Sequence, residues 1–259
     1  MANIEWIEET ATRLSETDLR PLVDRDLAVE IARTRDLGID HPSDRVDAFI
    51  AGLGPLFRWF STSHRDFPWR RTRDPWAVIV AEILLQRTHA TKVAEVYRTF
   101  HDRFADPAAV HEASREEVFE TVEPLGFGNK KSQTLKALAA AVELRHDGTV
   151  PNDLEALQAP PRIGPYTARA CLCFAFGEPL ALVDSNVATV AEHTLRYDSP
   201  RRAHKDDALY ALLDALIPDE PDGARVFNLA ILDTRPLVCD REPDDSVCPF
   251  GETCSEASL

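Results

Sequence analysis

A chain of 259 residues can bury one large core or two lobes, and it contains no run of about eighteen apolar residues that would cross a membrane. The acidic start Met-Ala-Asn-Ile-Glu lacks the pattern of a secretory signal. A formal net charge of −15 speaks against a protein that holds nucleic acid by bulk electrostatics, since phosphate affinity normally comes from Lys and Arg.

Helical periodicity dominates the chain, and no run alternates in the manner of a strand. Residues 1–47 predict two helices, at about 4–15 and 22–35, closed by a His41-Pro-Ser turn. This acidic segment is expected to be an extension packed on the main domain, 48–259, with a partner-binding arm as the alternative. Helices follow near 44–61, 75–87, 90–103, 114–121, 129–146, 152–158, 165–176, 186–196, 204–216 and 221–234. Leu135, Leu138, Ala139 and Val142 show the three-and-four spacing of one buried face. Arg73-Asp-Pro75, Asp106-Pro107, Asp147-Gly148 and the Pro218–Gly223 stretch read as loops. The expected fold is all-α and two-lobed.

Lysine is scarce, with only Lys92, Lys130, Lys131, Lys136 and Lys205, while Asp and Glu abound. That balance resembles proteins of salt-loving organisms, in which an acidic surface serves solvation. The segment from Arg58 to Lys92 is the basic exception. In concentrated salt, diffuse attraction is weak, and binding leans on short-range donors of fixed geometry. Five cysteines, an odd number with three crowded at the C-terminus, point to a reducing cytosol and a metal site rather than a disulfide framework.

The stretch Pro161-Arg-Ile-Gly-Pro-Tyr-Thr-Ala168 is a tight turn feeding a helix. Such a turn aims main-chain N–H groups and the positive end of a helix dipole outward, and so grips phosphate without a cationic side chain. Pro165 suits the first helical turn, where its missing N–H costs nothing. Asp184, in Val183-Asp-Ser-Asn-Val187, stands just before the next helix, where the dipole favours a carboxylate. A plain helix cap is its bland reading. Its chemical reading is stabilisation of positive charge on a sugar, or assistance to water, as an N-glycosidic bond breaks. Glu82 lies inside an apolar helix, where desolvation raises a carboxyl pKa and lets it hand a proton to a leaving base.

These motifs together resemble the endonuclease III superfamily of DNA glycosylases. The likeness runs over about residues 50–254 and includes Asp66-Phe-Pro-Trp-Arg70, the Pro75–Thr88 run and Leu125-Gly-Phe-Gly-Asn129. It implies a helix–hairpin–helix motif at Arg162, Ile163, Gly164, Tyr166 and Thr167 that contacts DNA, with Asp184 as the family's essential aspartate. It further implies that Gln86 fills the gap left by a flipped base and that Arg87 contacts the opposite strand. Gly126, Phe127 and Asn129 resemble the second wedge loop, with Lys130 and Lys131 beside it as phosphate contacts. Trp69, Trp76 and Phe67 are expected in the core.

Tyr166 stands where bifunctional relatives carry a Schiff-base lysine, and a phenol forms no such adduct. The resemblance therefore implies a monofunctional glycosylase of base excision repair, a cytoplasmic monomer that flips a mispaired T or U opposite G from double-stranded DNA. An adenine glycosylase acting on A opposite G or 8-oxoguanine is the alternative enzyme. With the chain ending soon after the cysteine loop, the extra domain that adenine-specific relatives use is not expected. A catalytically degenerate DNA-binding relative is the alternative from another class.

Three departures from the family pattern stand out. Arg162 occupies the first hairpin glycine, which suggests either a shifted hairpin or an added guanidinium contact. Thr189 replaces an Arg common in relatives. In the loop 239–254, Cys239, Cys248 and Cys254 remain while the second cysteine of the family's [4Fe–4S] loop is absent, its place falling near Asp245. Asp244 or Asp245 would then be the fourth ligand, or the cluster is lost. Cys171 and Cys173 are expected to be buried structural thiols.

Overall fold

The computed structural model describes residues 4–35, 37–197, 202–240, 248–251 and 254. In chain order the helices are α1 (Glu5–Ser15), α2 (Arg25–Thr34), α3 (Pro42–Ser63), α4 (Pro75–Leu85), α5 (Ala90–Arg103) and α6 (Pro107–Glu112). They continue as α7 (Arg115–Val122), α8 (Gly128–Arg145), α9 (Leu154–Gln158), α10 (Pro165–Cys171), α11 (Ser185–Leu195), α12 (Asp207–Leu216) and α13 (Pro221–Thr234). The described residues contain no strand, and the all-α expectation holds. No described helix is long and apolar enough to cross a membrane.

The helices divide into two compact units, one formed by Asp66–Phe176 and the other by Ile4–Arg65 with the chain from Gly177 onward. The second unit is thus discontinuous in sequence. Within it, α1 packs on α3 and α13, and α2 on α12 and α3. Helix α3 begins at Pro42, so the division expected after residue 47 falls inside one continuous helix. Arg65 closes the first segment: its main-chain N–H (2.9 Å) and its Nε (2.7 Å) both donate to the fully buried carboxylate of Asp233 on α13.

The contiguous unit carries α4 to α10. Asp74, Asp106 and Asp153 each accept a hydrogen bond from the first turn of the helix they precede, and Ser114 with Glu117 forms a capping box on α7. Helix α6 was not expected. Asp106-Pro107 reads equally well as a loop, but here Asp106 caps Ala109 N–H at 2.8 Å and Pro107 fills the first helical position. Trp69 and Trp76 are core residues as expected, with Phe67 stacked on Trp69 at 4.8 Å between ring centroids.

Candidate active site

Helix α9, a turn and α10 make the hairpin, with α10 resting on α4. Arg162 sits at the turn with φ 68°, in the left-handed region that a glycine would enter freely. The hairpin is therefore not shifted: arginine adopts the glycine conformation at a cost of roughly 1–2 kcal/mol. Its guanidinium Nη1 donates to Gln133 Oε1 of α8 at 3.0 Å. Ile163 and Thr167, which the hairpin reading includes through its main-chain N–H groups, are both buried. Gly164 and Pro165 are exposed, and Tyr166 is half-buried at the head of α10.

Two loops of the same unit meet beside the hairpin. Gln86 ends α4, and its Nε2 donates to Arg162 O at 3.2 Å and lies 3.5 Å from Thr167 Oγ1. Arg87 has φ 54° and is exposed. Its guanidinium lies 5.7 Å from the Phe127 ring centroid, and Lys130 Nζ lies 5.5 Å from the same ring. Phe127, also left-handed, is 48% exposed. Gly126 precedes it at φ 75°, a conformation that a side chain would strain. Asn129, exposed on the first turn of α8, accepts from Arg115 Nη2 at 3.2 Å. Lys131 corrects an expectation. It is 2% exposed, and its ammonium donates to Gln86 O at 2.6 Å, so it faces protein rather than phosphate.

Glu82 lies in α4 and is 6% exposed, close enough to Cys171 for its charge to help raise that buried thiol's pKa, which burial dominates. Cys171 and Cys173 are buried as expected.

Asp184 belongs to the other unit, where it caps α11. Its Oδ1 accepts from Asn186 N–H at 2.8 Å and Val187 N–H at 2.9 Å, and its Oδ2 accepts from Asn186 Nδ2 at 2.9 Å. Burial raises its pKa against the lowering pull of these donors and of Arg235. Arg235 opens a π-helical turn after α13 and donates from Nη1 to Ser185 O at 3.1 Å. Thr189 Oγ1 donates back along α11 to Ser185 O at 3.0 Å.

Sequence reasoning missed what aims Asp184. Asn228 on α13, 2% exposed, accepts Leu182 N–H at 2.8 Å and donates to Leu180 O at 3.0 Å. Asp214 accepts Ala181 N–H at 2.8 Å, and Tyr210 Oη donates to Val183 O at 3.4 Å. The one available signal was an amide in the apolar run Val226-Phe-Asn-Leu-Ala-Ile231.

Of the loop expected to hold a cluster, Cys239, Cys248, Phe250 and Cys254 are described, whereas Asp244 and Asp245 lie outside the described residues. Burial pushes the Cys239 thiol up to about 11, with nearby Cys248 adding to the shift. Among the described residues, no three His, Cys, Asp or Glu side chains converge as a metal site. The described donors, Cys239, Cys248 and Cys254, fall short of the four ligands a cubane needs. The loop has an apolar anchor. Phe250 stacks on Phe49 at 5.6 Å and lies where a Cβ on Gly52 would meet its ring at 2.5 Å.

A helix–hairpin–helix turn, with an aspartate heading a later helix, defines an all-α protein of the helix–hairpin–helix class. Residues 80–213 match the family described as HhH-GPD superfamily base excision DNA repair protein, and the chain belongs to that superfamily. It is accordingly a DNA glycosylase, a hydrolase of N-glycosidic bonds. The thymine/uracil-DNA glycosylase of Pyrobaculum aerophilum is 36% identical, over 83% of this chain and 91% of that protein. The adenine DNA glycosylase of Mycobacterium tuberculosis is 32% identical over 75% of this chain, which spans 64% of that enzyme. Among solved structures, a thermostable thymine-DNA glycosylase superposes with a TM-score of 0.74 at 30% identity, covering 83% of this chain and 98% of that one.

Proposed function

We propose that this base excision repair protein is a monofunctional mismatch glycosylase, releasing T or U opposite G from double-stranded DNA by hydrolysis. The observation that carries the reading is the Asp184 carboxylate, desolvated yet held by three donors, in a fixed position suited to stabilising positive charge on a sugar. Glu82 is the proton donor to the departing base. Tyr166, unable to form a Schiff base, leaves water as the nucleophile. The hairpin main chain from Arg162 to Thr167 grips the backbone phosphate.

Gln86 enters the gap left by the flipped base, with Arg87 against the opposite strand. Phe127, flanked by Gly126 and Asn129, wedges between bases, and Lys130 lies along the phosphates. The Pyrobaculum likeness, spanning nearly all of that thymine/uracil enzyme, supports T and U over adenine. The proposed enzyme works as a cytoplasmic monomer.

The test is purified protein, in high salt, with duplexes carrying G·T, G·U or A·8-oxoguanine, followed by alkali. Strand breaks at T and U, dependent on alkali, are the expected result. Breakage without alkali overturns the hydrolytic assignment, and breakage only at A opposite 8-oxoguanine overturns the substrate choice.

A further inference from the structure

Lys131 is the fourth residue of α8, near the positive end of its own helix dipole, where a cation is disfavoured. It is also almost fully buried, and desolvation draws its pKa down to about 8. Stability alone does not explain a cation here, since an apolar side chain of similar volume avoids both costs.

What the position gains is a specific acceptor. The Lys131 ammonium reaches the main-chain oxygen of Gln86, at the negative end of α4, where helix carbonyls lack intrahelical partners. That oxygen belongs to the turn carrying Gln86 and left-handed Arg87. A second tie joins the same two loops, from Thr88 Oγ1 to Leu125 O at 3.1 Å. A third is the packing of the Arg87 guanidinium on Phe127. Lys131 therefore sits at the root of both loops, one carrying the amide and the other the exposed aromatic ring.

We propose that Lys131 is a positioning residue that locks the Gln86–Arg87 turn to the Phe127 loop, so that both enter a mismatched duplex as one rigid probe. The inference rests on the glycosylase reading above. Lys131 itself touches neither base nor phosphate. Without the tie, each loop has to be ordered separately while a nucleotide is being extruded, and small misplacements of a positioning group cost large factors in rate.

The experiment compares full-length wild type with Lys131→Met, which keeps the volume, and Lys131→Arg, which keeps the donor. The probe is a G·T duplex with 2-aminopurine beside the T, whose fluorescence rises as stacking is lost. Lys131→Met is expected to bind matched duplex within about twofold of wild type. It should lose about tenfold or more in both the fluorescence rise and single-turnover release, and Lys131→Arg should recover most of that loss. Equal extrusion and release by wild type and Lys131→Met overturns the inference, as does an equal loss of matched-duplex binding. A wild type that releases no base defeats the glycosylase reading instead.

Should Lys131→Met fail to fold, acylation of native wild type decides. Lys130 is expected to be labelled while Lys131 is spared, and labelling of both at one rate overturns the tie.

Discussion

The side-chain oxygen of Asn228 accepts the main-chain N–H of Leu182 at 2.8 Å, two residues before Asp184. The aspartate is thus held from two directions, by its own helix cap and by a buried amide on α13. Asn228→Leu removes the amide and leaves the Leu182 N–H and Leu180 carbonyl unsatisfied in the core. Each buried orphan costs about 1–3 kcal/mol, so the variant should lose roughly 2–6 kcal/mol in urea titrations. Its single-turnover rate should fall even at a temperature where it is fully folded. An unchanged rate there removes Asn228 from the positioning of Asp184.

Asp184→Asn should keep the fold and lose base release, because asparagine caps a helix as well as aspartate does. The linkage has a definite sign. A carboxyl whose native pKa is raised above 3.8 binds its proton more tightly when folded, so its contribution to stability falls as pH rises from 3.8 through the native value. Above that window ionised Asp184 carries a constant cost. At pH 7 Asp184→Asn should therefore melt no lower than wild type, whereas Asp184→Ala loses about 1 kcal/mol of cap. The wild-type rate should decline with acid at a pH above the ordinary aspartate range, measured under single-turnover conditions from pH 4 to 8. A decline confined to the ordinary range contradicts the desolvated carboxylate.

Arg162→Gly relieves a left-handed arginine at φ 68° and should stabilise the contiguous unit by roughly 1 kcal/mol. The Gln133 contact it sacrifices is exposed and worth little. A melting point below that of wild type shows the guanidinium contact to outweigh the strain.

Phe250→Ala empties the seat over Gly52, and Gly52→Ala pushes a Cβ into the same ring. Both should lower stability by about 1–4 kcal/mol, by a cavity in one case and overpacking in the other. With Phe250 as the anchor of the loop, the loss should be the same in protein prepared without iron. Iron analysis and melting curves on both preparations check this.

Helix order, the hairpin, and Asp184 at the head of α11 were legible because each rests on local chemistry. Caps, Pro at first helical positions and apolar periodicity act within a few residues. Helix α6 escaped because Asp106-Pro107 satisfies a loop and a helix start equally. Lys131 was misjudged for a different reason. Its neighbour Lys130 is exposed, and nothing within five residues says which of two adjacent lysines turns toward a carbonyl 45 positions away. Asn228 and Arg65 are cases of the same kind, their partners being 46 and 168 residues distant. The left-handed Arg162 was legible only as a conflict, since the turn demanded a conformation its side chain resists.

The discontinuous unit has a consequence for how the protein is made. Domains form during synthesis from the N-terminal side onward. Residues 66–176 are contiguous and can close as soon as they leave the ribosome, whereas α1 and α3 must wait for α13, more than a hundred residues later. The hairpin proposed to grip phosphate is complete before Asp184 is translated, and the Asn228 contact that holds the strand before Asp184 forms later still. On the proposed roles, a nascent chain, or one cut short before α13, carries the hairpin that holds DNA without the fully held aspartate that releases a base. Order of synthesis itself keeps the chemistry last.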